Sequence, residues 1–297
     1  MSTAVALTPP TPVAPARTVS RGRRVKNRLF TVALYVCGIL ALLPLFFIVL
    51  FIVLRGVKAL NIDFFTKTPT IPGLPGGGIS QAFVGTAIII GIAVLISVPL
   101  GILAAIYLAE YGKSRFAGIV RFTAEILLSI PSIVAGAVIW SLVVLTLGNF
   151  SGFAASLAIS IIMWPIITRA AEEVLRLVGE DLREAALALG LPRWKVILRI
   201  VVPTASAGLF TAVMLAVARG LGETAPVLLT ALGNDFFSTN PFQPMDAIPL
   251  RVYNYAQSAV VNQPPMAFAG AICLLVIVLA LSITARVISS RQQRRVR

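Results

Sequence analysis

Apolar positions in this chain of 297 residues gather into six runs, near 29–54, 81–109, 122–147, 152–168, 204–232 and 265–288, separated by charged or Pro/Gly-rich stretches. A helix rises about 1.5 Å per residue and the hydrocarbon core is about 30 Å thick, so a run of about 20 apolar residues spans it. The pattern predicts an all-α membrane protein with six transmembrane helices. The fourth run, at 17 residues, is barely long enough. The first, at 26 residues, is too long for the apolar part of a signal peptide, and no small-residue cleavage site follows it. Despite the Arg23–Arg24 pair ahead of it, it reads as a first span, with Pro44 placed to kink it.

The connecting segments sort by charge. The stretches 17–28, 113–121, 169–199 and 286–297 alternate along the chain and hold 20 of its 25 basic residues. Basic residues concentrate on the cytoplasmic side of membrane proteins, so both termini are expected there. The layout is then a Pro/Ala-rich, disordered and finally basic cytoplasmic arm (1–28), a membrane domain (29–288) and a basic cytoplasmic tail (289–297). The other side carries two irregular loops, one with "TPTIPGLPGGGIS" and one with "GNDFFSTNPFQPMDAIPLRVYNYAQSA". The aromatics of the second suit an interfacial belt or a docking partner.

Composition narrows the function. Hydrophobic residues make up 58% of the chain and charged residues 12%, with a mean hydropathy of +0.95, so the lipid bilayer is the expected solvent. The net charge of +14 follows the topology and does not form the basic, aromatic-studded surface that nucleic acid needs. There is no histidine, and the two cysteines, Cys37 and Cys273, lie in apolar runs, where inert packing is expected. Metal ligands and His-based triads are thus missing. No cofactor is expected, and catalysis within this chain is not. "YGKS" at 111–114 ends like a phosphate-binding loop, but Tyr107 occupies the place of the required first glycine. ATP binding belongs to another chain.

The segment 169–203, "RAAEEVLRLVGEDLREAALALGLPRWKVILRIVVP", is charged yet helical in composition, with breaks at Gly179 and at Gly190-Leu191-Pro192. Glu180 and Asp181 suit a helix start and Gly190 a helix end. The short helix between looks like a docking knob for a soluble partner. Glu184-Ala185-Ala186, three residues, Gly190, nine residues and Ile200-Val201-Val202-Pro203 resemble the EAA motif of bacterial ABC importer permeases, with Val202 where leucine is usual. The resemblance implies a MetI-like six-span permease fold whose coupling helix docks on an ATP-binding subunit, through Glu184, Ala185, Ala186, Gly190 and Pro203. "GGISQAFVGT", "AIYLAEY", "IPSIVAG" and "RGLGETAPVLLTA" further resemble the phosphate-specific permeases, closer to the PstA type than to the PstC type. That implies a heterodimer with a PstC-type paralogue, a pair of ATP-binding subunits, an extracytoplasmic phosphate-binding protein and phosphate as the cargo.

Within 204–232 the only charges are Arg219 and Glu223. A charge at the centre of a membrane helix costs about 2.5–3.5 kcal/mol on insertion scales. Gly220, Gly222 and Pro226 around the pair favour an unwound stretch, and broken helices near the midplane commonly form transporter sites. Arg219, held by Glu223 and assisted by Thr224, is the candidate anion checkpoint; a purely structural ion pair is the alternative. Ser129 and Ser132, flanking Pro131, either line the path or bond back to their own helix. Glu125 is expected to pair with Arg121. The reading is a phosphate importer permease. A sulfate or molybdate importer is the alternative, and a self-contained channel lacks any use for the EAA spacing.

Overall fold

The computed structural model describes residues 21–71, 76–112 and 114–296, so the disorder expected for the first 20 residues lies outside them. Among the described residues regular structure is helical, apart from one isolated parallel bridge between Leu232 and Met245. Two units separate at residue 51. The first consists of most of α1 (Arg21–Gly56), which continues through Pro44. Its described side chains are almost all exposed, Cys37 included. The expectation that Cys37 packs against protein is corrected within this chain: the thiol is exposed, as are its neighbours along α1.

The second unit begins with α2 (Ile62–Thr66), whose first turn is capped by the Asn61 side chain accepting from Phe64 N–H at 2.8 Å. It continues with α3 (Ser80–Glu110), α4 (Arg115–Ser129), α5 (Ser132–Ile139), α6 (Leu145–Leu147) and α7 (Gly152–Arg176). Next come α8 (Glu180–Ala188), α9 (Arg193–Val196), α10 (Val202–Leu221), α11 (Ala225–Ala231), α12 (Ile248–Ala256) and α13 (Gln263–Val296). Ser114 and Ser151 start α4 and α7 by accepting N–H bonds from Ala117 and Ala154, the usual service of a serine at a helix start. The core is built on α3, α7 and α10. There Ala93, Ala155 and Ala216 are fully buried beside Ile89, Ile159 and Met163. Small residues let membrane helices approach closely where burial from water offers no drive.

Five helices are long and apolar enough to cross a membrane, and a sixth crossing exists if α4 and α5–α6 count as one span bent by 104°. The bend falls at Pro131, which has no N–H for a continuing helix. One further element extends past its apolar run, and another is divided at the break expected around Gly220, Gly222 and Pro226. Helix α7, the fourth apolar run, continues to Arg176, well past that run, with Glu172 neutralised by arginines of its own helix and by Arg121 of α4. Glu172, 2% exposed, meets Arg121 at 2.8 Å, Arg169 at 3.1 Å and Arg176 at 2.7 Å. The expected Arg121–Glu125 pair is accordingly replaced: Glu125 meets Arg169 at 3.3 Å. The fifth apolar run is divided, α10 ending at Leu221 and α11 starting at Ala225.

At the end opposite α8, the segment after α11 folds back onto the start of α3. Asp246, buried, accepts from Gln81 Nε2 at 3.0 Å and from Arg251 at 2.6 Å, and Arg251 also reaches Asp235 at 2.6 Å. Thr86 Oγ1 accepts from Ile248 N–H at 2.8 Å. Burial pushes the Asp246 carboxyl above its ordinary range despite the guanidinium beside it. Burial also works against the Arg251 charge, but Asp246 and Asp235 outweigh it and raise its pKa further.

Candidate functional site

Two sites emerge at different levels of the bundle. The first is α8. Its start follows Gly179, and its acidic first turn, Glu180 and Asp181, complements the N-terminal end of the helix dipole. Its end is a Schellman turn: Gly190 N–H donates to Leu187 O at 2.9 Å and Leu191 N–H to Ala186 O at 3.3 Å. Gly190 takes φ +80°, a conformation that costs residues with a Cβ about 1–2 kcal/mol. Ala186 is buried among Leu175, Val178 and Val196, whereas Glu184 and Ala185 are exposed. Leu182, Leu187, Leu189 and Trp194 are exposed as well. Such an apolar surface, beyond the end of the core helices, is what a partner protein would cover. After α9 the helix widens into a π-turn at Ile197–Val201, where Val202 N–H reaches Ile197 O. Pro203 follows directly and cannot donate to the carbonyl four residues back, so the local register slips where the motif ends.

The second site is the break between α10 and α11. Arg219 Nη2 lies 2.9 Å from Glu223 Oε1; the contact is an ion pair whose alignment falls short of a hydrogen bond. The partners differ in surroundings: the Arg219 side chain is 59% exposed and that of Glu223 6%. Glu223 lies in the break just beyond the last residue of α10, with its N–H donating to Gly220 O at 3.2 Å, so the pair ties the break to the end of α10. Thr224 stands at the start of α11 without a side-chain capping bond. Arg219 and Ser132 are the polar side chains in the wall of a cavity of about 240 Å³, whose other walls are apolar and include Leu128, Val138 and Ile162. The bend between α4 and α5 opens this cavity, and α5 crosses α11 where Gly136 meets Pro226. A Cβ on Gly136 would lie 2.7 Å from Pro226 Cα.

Arg219, Glu223 and Ser132 are thus brought to one place, with Thr224 next to them in the chain. Ser129 takes the bland alternative: its hydroxyl donates to Ile126 O at 2.7 Å, and it is not in the cavity wall. Glu184, Ala185 and Gly190 lie exposed along one short helix and its closing turn, Ala186 faces the core beneath them, and Pro203 sits in α10, beyond α9. Glu110, Arg183 and Glu172 are site-forming residues that no motif singled out. A signal was available: a chain with 25 basic and 11 acidic residues has few acids to spare, and acids at helix ends beside a basic loop are natural partners for it.

Residues 97–294 match the family described as "binding-protein-dependent transport system inner membrane component". The phosphate transport system permease protein PstA of Haemophilus influenzae is 42% identical over 265 residues, covering 89% of this chain and 94% of that one. PstA 1 of Mycobacterium tuberculosis is 35% identical over 297 residues, covering 95% of both. Among solved structures, the bacterial alginate ABC transporter in complex with an alginate-bound periplasmic protein superposes with a TM-score of 0.66 at 15% identity. It covers 91% of this chain and 97% of that one. The inward-facing MetNI methionine ABC transporter gives 0.58 at 17% identity, covering 72% and 95%. At these identities the two structures speak for the fold alone. With this relationship and the all-helical architecture together, the chain belongs to the binding-protein-dependent transport system inner membrane components, and within them to the PstA-type phosphate transport permeases.

Proposed function

We propose that this chain forms half of the translocation path of an ATP-driven phosphate importer, pairing with a PstC-type paralogue. Of a pair of ATP-binding subunits one docks on α8, and a phosphate-binding protein docks on the opposite face. ATP hydrolysis takes place on those separate subunits. The distribution of basic residues supports placing α8, the 1–28 arm and the 289–297 tail in the cytoplasm, with 29–288 as the membrane domain. The observation that carries the reading is Arg219, an exposed guanidinium on the wall of a cavity among membrane-length helices, backed by a buried carboxylate. A guanidinium is always charged and presents a planar fork that suits phosphate oxygens. Glu223 balances that charge between substrates, so the anion is attracted but not trapped. Ser132 and Thr224 are the nearby hydroxyls available to the passing anion. ATP-driven closure of the partner subunits moves α8, with Glu184, Ala185, Ala186 and Gly190 shaping the contact, and exposes the path to each side in turn.

Labelled-phosphate uptake tests this in cells that lack their own importer and carry this chain with its partner subunits. Wild-type uptake is expected to be blocked by arsenate and not by sulfate. Arg219→Gln is expected to lower it at least about tenfold, a barrier change of ~1.4 kcal/mol, with the complex still assembled. Normal uptake by Arg219→Gln would reduce the pair to a structural clamp. An intact wild-type complex that moves sulfate or molybdate but no phosphate would replace the substrate.

A further inference from the structure

Helix α8 has nine residues, too few to be stable alone in water, and Ala186 is its buried residue. Packing alone therefore gives it a weak seat. What fixes it is ionic. Arg183, in its middle, donates to Glu110 Oε1 at 3.1 Å, to Leu175 O at 2.9 Å and to Val178 O. Arg193, just after the turn that ends α8, donates to the main-chain oxygen of the same Glu110 at 2.7 Å. Its guanidinium also lies 4.8 Å from the centre of the Tyr111 ring.

One residue, the last of α3, is thus gripped from both sides of the α8 turn. The Arg183 fork closes the C-terminal end of α7 as well, donating to Leu175 O in its last turn, alongside Val178 N–H, and to Val178 O just beyond it. The ends of α3 and α7, two of the helices that build the core, are joined to α8 by these groups. The Glu110 side chain is 6% exposed and that of Arg183 17%, so the pair is shielded, unlike a surface ion pair worth little. Beside it lies a cavity of about 950 Å³ lined by Tyr111, Ser114, Arg176, Glu180, Arg183 and Arg193. Space on one side and a firm ionic link on the other describe a part that moves as a unit with what it is tied to.

We infer that Glu110, with Arg183 and Arg193, is the strut through which displacement of α8 reaches the membrane helices. These are positioning residues for transport, distinct from the surface that binds the ATPase, and the inference rests on the reading of α8 as the docking helix.

The test uses the complete complex, purified and reconstituted in proteoliposomes, reading phosphate imported per ATP hydrolysed. Glu110→Ala and Arg183→Met are expected to keep the ATP-binding subunits and hydrolyse ATP within about twofold of wild type. Import per ATP should fall by about tenfold or more. Glu110→Gln, which keeps the shape and an acceptor oxygen, is expected to lose less and covers the case in which Glu110→Ala fails to fold. An unchanged ratio in the assembled variants overturns the strut, as does loss of the ATP-binding subunits from them, since that would make these residues part of the docking surface. Ala185→Arg, on the exposed face of α8, tests the underlying reading separately. If that complex keeps its ATP-binding subunits and transports normally, the docking assignment fails whatever the strut variants do.

Discussion

Gly190 shows how a single backbone angle shapes the docking surface. Its φ of +80° closes the turn after α8, and a Cβ built there meets no atom within 4 Å. Substitution therefore costs torsional strain and no clash inside this chain. Asparagine tolerates the left-handed region and β-branched residues do not. Gly190→Asn is expected to keep uptake near wild type, whereas Gly190→Val should lose the ATP-binding subunits from the purified complex. At this scale the sequence was informative wherever the chemistry is local. Gly190 and Pro203 announce their backbone roles by what they lack, a Cβ and an N–H. Arg219 and Glu223 stand out because charges inside an apolar run are costly. Glu110 and Arg183, 73 residues apart, carry no such mark, since neither is unusual in its own neighbourhood.

Breaks are the informative features among the elements. Those at Gly179 and Gly190 were legible from glycine and proline, and so was the interruption between α10 and α11. The 104° bend between α4 and α5 was not, because Ile130-Pro131 inside an apolar run also fits a mild kink. The helical character of the stretch before Gly179 was legible, but its continuity with the fourth span was not, since only the folded chain brings Arg121 to Glu172. The bend depends on a close crossing at Gly136. Adding a side chain there pushes against Pro226 backbone, and overpacking costs about 1–3 kcal/mol where neighbours can yield; here backbone cannot. Gly136→Leu is expected to lower the melting temperature of the detergent-purified protein and the yield of the dispersed form. Gly222→Ala, whose new Cβ would come no nearer than 3.7 Å to Arg219 O, should change neither.

For the molecule as a whole, polar groups at the two ends hold an apolar bundle in register. The end opposite α8 relies on Asp246 and Arg251, neither of which the sequence pattern distinguished from surface charges, because their burial depends on the return of the loop onto α3. Removing one partner of a buried pair leaves the other uncompensated, at about 3–5 kcal/mol. Arg251→Met is expected to lower the melting temperature clearly, and adding Asp246→Leu should restore part of the loss. The strut at the other end has a geometric corollary. From Arg193 to Leu221 the chain is one continuous helical stretch, with Arg193 anchored on Glu110 and Arg219 about 39 Å further along, at about 1.5 Å per residue. A rod that long is a lever: a tilt of about 5° at its anchored foot sweeps its tip by about 3 Å. Glu223 lies within the break with its N–H bonded to Gly220 O in the last turn of α10, so it travels with Arg219. A small rotation at the foot therefore carries the whole ion pair by about one contact distance along the cavity wall that Arg219 shares with Ser132.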